Sequence, residues 1–443
     1  IKMKYIYTEN ISELYPLQEA VLNAMPTKNG LWLPEKLPKI NIKNLLNKTF
    51  HEVAFHILQH FFNEEMTPDI LKNIIKEAFN FEIPLVHFKD NIFILELFHG
   101  PTYTFKDIGC RFMAIALKHI ISEKYKDKKI NVIVATSGDT GSAVANAFYN
   151  IPNITVNIFY PKNRISKLQE KQMTTLGGNI KAFCVDGDFD DCQNLIKNIL
   201  GDKLLMNNYF FFPANSINIL RLLPQTIYYF WAYIQLNKVI SSNTIHPNIY
   251  FSIPSGNLGN ACAGVICKKM GLPIDKFIIA TNNNDAFGRY LDGKSIDNII
   301  SVKTLSTAMD ISVPNNLIRL KYLYDNNIEN FKKDMCSYSI DNHKTIEYMK
   351  KSQQNGYIMD PHTSVGYAAL DTFISENKHK GTNNYYILID TAHPAKFPNT
   401  MKLARIELII PLELLNLLIS DEQKKDISTD YNTWKSNFMK LNL

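Results

Sequence analysis

The stretch ELFHGPTYTFKDIG, from Glu96 to Gly109, presents one lysine, Lys106, shortly after a Gly-Pro-Thr turn. A lysine amine that has lost its proton can form an imine with a carbonyl compound. A solvated, charged side chain is the simpler interpretation. However, the apolar residues that follow recur at helical spacing, and a helix dipole disfavours a lysine in the first turn. The position therefore suggests a purpose other than solubility. The adjacent Asp107 is expected to be the acidic residue of that first turn.

Two glycine-containing loops have the composition of anion sites. TSGDTGSA, from Thr136 to Ala143, offers backbone N–H groups and hydroxyls at the start of a predicted helix. PSGNLGNACAG, from Pro254 to Gly264, adds glycines that allow close backbone approach and asparagines that supply donors. A tight strand-to-helix turn without a ligand has the same composition, so one such loop alone does not decide between the two interpretations.

A third loop, DTAHPAKF, runs from Asp390 to Phe397 after the last clear predicted strand. It places the hydroxyl of Thr391 and the imidazole of His393 at the carboxyl end of that strand. For His393 we favour a structural role, satisfied by its neighbours, over a catalytic one.

The elements that position these loops alternate between strands and helices from about residue 85. INVIVAT, ITVNIFYP, NIYFSIPS, KFIIAT and NYYILID are predicted strands, and helical patterns separate them. This alternation predicts an α/β fold with parallel sheets covered on both faces, and such sheets bind ligands at the carboxyl ends of their strands. The first 80 or so residues are predicted to be mostly helical, interrupted by the loop KNGLWLPEKLPKI, which Trp32 and Leu33 pack.

Composition narrows the class of protein. The 443 residues suit two or three domains, and the net charge of +6 is spread along the chain without a basic block, which argues against nucleic-acid binding. No signal peptide and no apolar run of about 18 residues is found, so no membrane association is expected. The six cysteines form no CxxC motif and no zinc-finger spacing, so we expect reduced thiols, no metal site and a cytoplasmic location.

Eight motifs, in order along the chain, resemble those of the threonine synthase family, pyridoxal-phosphate enzymes of fold type II (the tryptophan-synthase β-like group). They are LELFHGPTYTFKDIGCRFMA, ATSGDTGSAVANAFY, LQEKQMTTLGGNI, DGDFDDCQNLI, ANSINILRLLPQTIYYF, PSGNLGNACAG, STAMDISVPNN and TAHPAKF. NGLWLPEKLP fits the longer branch of the family. The resemblance implies a threonine-synthase-type N-terminal region over residues 1–82, a catalytic region of two α/β subdomains over 83–415, and a helical C-terminal tail over 416–443.

The resemblance also implies residue roles for pyridoxal 5'-phosphate. Lys106 resembles the Schiff-base lysine, whose amine shuttles protons once it is released. Thr391 resembles the hydroxyl partner of the pyridine nitrogen. Asp139 lies where many relatives place an asparagine against the ring hydroxyl. The cradle for the cofactor phosphate comprises Gly256, Asn257, Leu258, Gly259 and Asn260.

A second set of residues resembles the pocket for the substrate phosphate, which Arg221 could grip with two hydrogen bonds. The set comprises Thr136, Ser137, Thr140, Asn215, Ser216 and Arg221. Tyr103, Thr104 and Cys110 depart from the smaller residues that relatives often have beside the lysine, and Cys110 is interpreted as a packing residue.

The implied reaction converts O-phospho-L-homoserine and water into L-threonine and phosphate, the last step of threonine biosynthesis, by γ-elimination and β-hydration. The expected partner is this small molecule, in a monomer or homodimer. Two alternatives stay open at this point. A threonine dehydratase or a cysteine-synthase-like enzyme would not need a second phosphate pocket, and a non-catalytic binding protein of the same fold would not need the lysine.

Overall fold

The structure, a computed structural model, describes residues 2–24, 26, 30–124, 129–240, 247–377 and 383–441. The predicted strands are confirmed: INVIVAT and NYYILID, for example, form strands that end where the glycine and threonine loops begin. The strands are β1 Tyr5–Tyr7, β2 Asn10–Tyr15, β3 Trp32–Pro34, β4 Leu85–Lys89, β5 Ile92–Glu96, β6 Ile130–Ala135, β7 Ile154–Pro161, β8 Ile180–Val185, β9 Phe210–Pro213, β10 Asn248–Pro254, β11 Lys276–Thr281, β12 Met335–Ser339, β13 Asn384–Asp390 and β14 Lys424–Ile427.

Helices alternate with these strands from β5 onward, as the sequence pattern predicts. They are α1 Leu17–Leu22, α2 Phe50–Phe62, α3 Pro68–Ala78, α4 Lys106–Lys124, α5 Asp139–Phe148, α6 Lys167–Thr174, α7 Phe189–Gly201, α8 Lys203–Asn208, α9 Ile219–Leu222, α10 Thr226–Val239, α11 Gly259–Met270, α12 Ala286–Leu291, α13 Leu317–Leu323, α14 Ile328–Asp334, α15 Asn342–Gln354, α16 Pro361–Asn377, α17 Pro398–Ala404, α18 Leu412–Ile419 and α19 Tyr431–Leu441. Short 3-10 helices occupy Ile42–Asn44, Leu223–Gln225, Thr307–Met309 and Pro394–Lys396.

Contacts divide the chain into two compact units. Unit 1 comprises residues 1–112 and 216–408, and unit 2 comprises 113–215 and 409–443. Each unit holds one large sheet with helices packed against it, so the predicted α/β class with two parallel-sheet domains is confirmed. The finer division predicted from the sequence, into 1–82, 83–415 and 416–443, stays a prediction.

Unit 1 contains a six-stranded sheet in the order β12-β11-β10-β13-β5-β4. Its strands are parallel except for the edge strand β4, which pairs antiparallel with β5. The apolar face formed by Ile94, Ile278 and Leu388 packs against Val365 and Ala369 of α16. Because β10 and β13 are adjacent and parallel, the loops that follow them emerge at the same edge of the sheet.

The N-terminal part of unit 1 differs from the prediction. Strands β1, β2 and β3 form an antiparallel sheet in the order β2-β1-β3, so the expectation of a mostly helical region is wrong before residue 35. Trp32 and Leu33 are buried, as expected, but in strand β3 rather than in a loop. Lys28 and Asn29 of the predicted loop lie outside the described residues. Helix α2 then starts at a capping box formed by Thr49 and Glu52.

Unit 2 contains a fully parallel five-stranded sheet in the order β14-β8-β7-β6-β9. One face, formed by residues such as Phe159 and Phe183, is covered by Trp434 and Phe438 of α19. The segment 416–443, expected to be helical, contains the edge strand β14, so this expectation needs correction. The sequence KKDI gives little apolar signal because β14 is mostly exposed and is held by backbone pairing to β8.

Within the described residues, no helix is both long and apolar enough to cross a bilayer. The same residues hold no cluster of His, Cys, Asp and Glu side chains arranged for a metal ion.

Replacing Phe438 by alanine should lower the free energy of unfolding by about 3–5 kcal/mol, because a buried aromatic ring is lost from the core of unit 2. The ring lies 5.0 Å from that of Trp434 and 5.1 Å from that of Tyr209, between centroids. Urea denaturation measures the change. The matched control is Asn437→Ala on the exposed side of the same helix, and an equal loss in both variants would contradict the assigned packing of α19.

Candidate active site

Lys106 is the first residue of helix α4 and is half-buried. The turn before it is held by backbone hydrogen bonds to the segment that follows β13. The N–H of Phe105 donates to the carbonyl of Thr391 at 2.8 Å, and the N–H of His393 donates to the carbonyl of Tyr103 at 3.0 Å. The structure thus fixes Lys106 beside Thr391, at the carboxyl end of β13.

Asp107 supports this turn, in agreement with the structural role expected for it. Its buried carboxylate accepts hydrogen bonds from the N–H of Thr102 at 2.8 Å and from the Thr102 hydroxyl at 2.5 Å. Burial raises the pKa of Asp107, while the hydrogen bonds from Thr102 and the charge of Lys396 act in the opposite direction. Lys396 is itself buried and donates to the carbonyl of Thr102 at 2.8 Å. Tyr103 completes the turn in the left-handed region, with φ of 59°.

Arg221 lies close to the first turns of α4. A Cβ atom at Gly109 would come within 2.8 Å of the Arg221 carbonyl oxygen and 3.2 Å of its Nε. Burial raises the pKa of Cys110 to about 11, and the charges of Arg221 and Lys106 both oppose that shift, so both cations act on the same sulfur. A fully buried, protonated thiol supports the interpretation of Cys110 as a packing residue.

His393 caps the short 3-10 helix that follows it, since its ring Nδ1 accepts a hydrogen bond from the N–H of Ala395 at 3.1 Å. The ring packs edge-on against Phe98 and Tyr103, and burial lowers the pKa of His393. These contacts support the structural role that the sequence favours for it.

The loop after β10 leads into the start of helix α11. Leu258 adopts the left-handed conformation, with φ of 57°, at the N-cap of α11, and none of the described side chains caps the helix. The N–H groups of the first turn are therefore open to an anion. A Cβ atom at Gly256 would lie 2.8 Å from the Cα of Met309, so only glycine fits there. At Gly259 the nearest atom to such a Cβ would be Asn316 Nδ2 at 3.4 Å.

Asn260, in the first turn of α11, is held by two buried tyrosines. The hydroxyls of Tyr228 and Tyr229 lie 2.8 Å and 2.5 Å from Asn260 Oδ1, and burial raises the pKa of both phenols so that they remain donors. This arrangement directs Nδ2 away from the tyrosines. Asn260 Nδ2 is buried and makes no hydrogen bond within the described residues. The same is true of the hydroxyl of Ser255. Unpaired buried donors are costly, so they fit a site built for an anion.

The same loop is locked from outside by residues that sequence analysis did not assign. Asn257 Oδ1 accepts from the N–H of Asn315 at 2.5 Å, and Asn257 Nδ2 donates to the hydroxyl of Ser216 at 2.8 Å. Asn316 Nδ2 donates to the carbonyl of Asn257 at 3.0 Å. The fully buried Arg319 donates to the carbonyl of Ser216 at 3.0 Å and to Asn316 Oδ1 at 2.6 Å. Ser216 therefore contacts the loop assigned to the cofactor phosphate.

Thr391 is anchored on a group of buried carboxyls that sequence analysis also missed. The N–H of Thr391 donates to the hydroxyl of Thr363 at 3.3 Å. Tyr357 and Thr363 each place a hydroxyl 2.8 Å from the carboxyl of Asp390. Burial and the neighbouring Asp360 raise the pKa of Asp390. These partners come from α16 and the residues before it, too far along the sequence to be linked to Thr391 by a local pattern.

In unit 2, the TSGDTGSA loop is held by its own hydroxyl. Thr136 Oγ1 accepts from the N–H of Gly138 at 2.9 Å and from the N–H of Gly141 at 2.8 Å. Buried Asp139 starts helix α5, and its Oδ1 accepts from Gln169 Nε2 at 2.9 Å. The backbone of Gly138, with φ of 126°, makes this turn possible.

The remaining predicted residues of unit 2 lie around this loop. Asn215 pairs with the backbone of Ala135, accepting from its N–H at 3.3 Å and donating to its carbonyl at 2.9 Å. Ser137 and Thr140 are half-buried in the loop itself. Thr136, Ser137, Thr140 and Asn215 thus meet at the carboxyl ends of β6 and β9, which are adjacent and parallel.

Comparison with known proteins identifies the family. The model of the family described as "Pyridoxal-phosphate dependent enzyme" matches residues 81–389, and the models "Threonine synthase N terminus" and "Threonine synthase, C-terminal" match residues 4–79 and 363–436. The threonine synthase of Haemophilus influenzae is 41% identical over 422 residues, which cover 94% of this chain and 96% of that one.

Solved structures agree. The crystal structure of threonine synthase from Escherichia coli matches with a TM-score of 0.90 and 37% identity, covering 99% of this chain and 100% of that one. A threonine synthase from Brucella melitensis with pyridoxal phosphate bound matches with a TM-score of 0.88 and 29% identity, covering 98% of both chains. The chain belongs to the threonine synthase family. It is a pyridoxal-phosphate-dependent lyase, as the resemblance in the sequence predicts.

The residues at the start of α11 fit the phosphate of this cofactor. Within the described residues, an uncapped helix terminus and the unpaired Nδ2 of Asn260 supply donors, and glycine at 256 avoids a side chain that would collide with Met309. Donors of this kind at the positive end of a helix dipole bind a phosphate dianion.

Replacing Tyr229 by phenylalanine should weaken cofactor binding by about tenfold, because Asn260 loses a hydrogen bond that orients its amide. Absorbance titration of the cofactor-free protein with pyridoxal phosphate measures the dissociation constant. The control is Tyr367→Phe, which removes another buried hydroxyl of unit 1, one without a partner among the described residues. Equal affinities in the two variants would contradict the orienting role.

Proposed function

We propose that the chain converts O-phospho-L-homoserine and water into L-threonine and phosphate. The observation that carries the proposal is that donors suited to an anion occur at two separate places. One surrounds the start of α11, and the other is Arg221, packed against the helix that Lys106 begins. A substrate that has its own phosphate, on an enzyme whose cofactor has another, requires both. A threonine dehydratase or a cysteine-synthase-like enzyme would use only the first, and a non-catalytic binding protein would have no need of Lys106.

Lys106 is the proposed catalytic residue. Bound pyridoxal phosphate supplies an aldehyde that reacts with amines and a ring that accepts electrons. Lys106 would hold the cofactor through Nζ, and its released amine would take the proton from the substrate Cα and move protons in later steps. The turn supported by Asp107 and Thr102 keeps that amine at the carboxyl end of β13.

The other proposed cofactor contacts lie in the three loops that the resemblance assigns to the cofactor. Gly256, Asn257, Leu258, Gly259 and Asn260 would bind the cofactor phosphate. Thr391 would offer its hydroxyl to the pyridine nitrogen, and a neutral partner of this type does not hold that nitrogen protonated. Asp139 is proposed to lie against the ring hydroxyl, where a carboxylate has to share a proton with its partner.

The proposed substrate contacts comprise one charged residue, Arg221, and several uncharged groups. Arg221 would neutralise the phosphate group and stabilise its charge as it leaves. Hydroxyl and amide groups of Thr136, Ser137, Thr140, Asn215 and Ser216 would complete the shell. The amide of Asn215 already pairs with the backbone of Ala135, so its second N–H is the group proposed for the substrate. Water then adds at the substrate Cβ to give the hydroxyl of threonine.

A cytoplasmic location and a monomeric or homodimeric state are parts of the same proposal. The cysteines support the first, since all six are free thiols, which is usual in a reducing compartment.

Borohydride reduction of the yellow holoenzyme should attach the cofactor to the peptide that contains Lys106. The label is located by mass spectrometry after proteolysis. Lys106→Ala should carry none, although it folds with the same far-ultraviolet circular dichroism. The informative competitor is Lys396, a buried lysine of the same turn region. Label on its peptide, or a colourless protein after reconstitution with cofactor, would overturn the assignment.

Replacing Arg221 by alanine should leave the cofactor absorbance intact and lower kcat/KM for O-phospho-L-homoserine by about 100-fold or more, because one group that stabilises the leaving phosphate is lost. Phosphate release measures the activity on O-phospho-L-homoserine. Acetate release from O-acetylserine and formation of 2-oxobutanoate from threonine measure the two comparison reactions. A parallel loss of cofactor binding would mean that the two phosphate pockets are misassigned. Turnover of O-acetylserine or threonine in preference to the phosphate ester would contradict the proposed reaction itself.

A further inference from the structure

Unit 2 contains a cleft of about 1000 Å³ at the amino ends of its strands. The floor is formed by Asn131, Thr155 and Asn157 of β6 and β7 with residues of β8 and β14, and helix α19 forms one wall. Its volume lies at the upper end of the range of about 300–1,000 Å³ that is usual for small-molecule pockets. The glycine and threonine loops of unit 2 follow the carboxyl ends of β6 and β9, so the cleft shares no residue with them.

Two buried donors line this cleft without a partner. Asn157 and Trp434 are each 2% exposed, and among the described residues neither Asn157 Nδ2 nor Trp434 Nε1 makes a hydrogen bond. The other tryptophans behave differently. Trp32 Nε1 donates to the carbonyl of Asn23 at 2.7 Å, and Trp231 Nε1 donates to the carbonyl of Ile83 at 2.9 Å.

Asn157 places a polar amide in the middle of the parallel strand β7, which is unusual for a buried strand. Asn157 interrupts the apolar strand ITVNIFYP and directs its side chain to the same face as Phe159, where an aliphatic residue would pack without the cost of an unpaired polar group. Because Trp434 adds a second unpaired donor to the same cleft, the two groups together suit an acceptor that comes from outside the chain.

The rim of the cleft is positive. Lys181, Lys425 and Lys440 are exposed and line it. The other charges of the lining are already paired, since Lys424 bonds to Glu170 and Asp426 lies 3.6 Å from Lys162. The walls include the aromatic rings of Phe183, Trp434 and Phe438, which offer flat apolar surface. The lining of the cleft thus combines cationic side chains with aromatic rings.

We infer that this cleft binds a small organic anion, a carboxylate attached to a flat apolar group. The carboxylate accepts hydrogen bonds from Asn157 Nδ2 and Trp434 Nε1, and the apolar group packs on the aromatic wall. The lysines of the rim attract the anion and balance its charge. This site is distinct from the residues proposed for catalysis, and its occupant does not take part in the reaction.

The test uses the holoenzyme with ¹⁵N-labelled indole groups and benzoate as the probe. The protein has three tryptophans, so its spectrum contains three indole N–H signals, and the signal of Trp434 is assigned by its loss in Trp434→Phe. Benzoate should shift the Trp434 signal in a saturable manner and leave those of Trp32 and Trp231 in place. Benzamide, which has the same shape without the charge, should bind at least about tenfold more weakly, since hydrogen bonds to a charged acceptor are the stronger ones.

Variants separate the site from a general surface effect. Asn157→Ala should weaken benzoate binding by about tenfold, through loss of a hydrogen bond to a charged group. Lys425→Glu, a change at the exposed rim, should weaken it as well, whereas Lys197→Glu, at an exposed position of α7 outside the cleft, should not. A Trp434 signal that stays unmoved throughout the titration, as expected if only water satisfies the two donors, would overturn the proposal. Equal binding of benzamide and benzoate, or equal effects of the two lysine variants, would overturn it too.

Discussion

The uncapped start of helix α11 is the constraint on which the rest of unit 1 depends. A helix end leaves N–H groups unpaired, and in the part of the chain that the structure describes no side chain caps the start of α11. Asn260 supplies one more unpaired donor. The hydroxyls of Tyr228 and Tyr229 contact its amide oxygen, and its Nδ2 is buried without a partner among the described residues. The start of α11 therefore holds a cluster of donors that suits a phosphate, and the hydrogen bonds of Asn257, Asn316 and Arg319 hold the loop that carries them in place.

The supports of this loop also reach Arg221. Gln225 donates to the carbonyl of Arg221 at 2.8 Å, and its own amide oxygen lies 3.0 Å from the hydroxyl of Tyr228. Tyr228 in turn contacts Asn260. Buried polar contacts thus link the arginine proposed for the substrate to the amide proposed for the cofactor. They pass through the hydroxyl of Tyr228, whose single hydrogen points to one of the two amide oxygens at a time. The residues proposed for the two anion sites thus share one buried polar network.

The sequence predicts those parts of the molecule whose signals are local. The strand INVIVAT, the helix that Lys106 begins and the glycine loop before α11 are each encoded within a dozen or so residues, and the structure places them as predicted. Strands β1 and β3 are three residues long and buried throughout, so they show no alternation, and β14 is a polar edge strand. Arg319 could not be assigned in advance, because its partners Trp32 and Ser216 lie about 290 and 100 residues away in the sequence.

Gly109 links the position of Lys106, the proposed catalytic residue, to that of Arg221, the residue proposed to bind the substrate phosphate. The position faces the backbone of Arg221 at a distance that even one methyl group would violate. A mutation there would not remove any group that touches substrate, yet it would push apart the two helices that present Lys106 and Arg221. Selection that maintains the spacing of Lys106 and Arg221 is therefore expected to act on Gly109, which has no functional side chain. If glycine is kept at position 109 among descendants of this chain, the reason would be the distance between Lys106 and Arg221 and not a chemical role of the glycine.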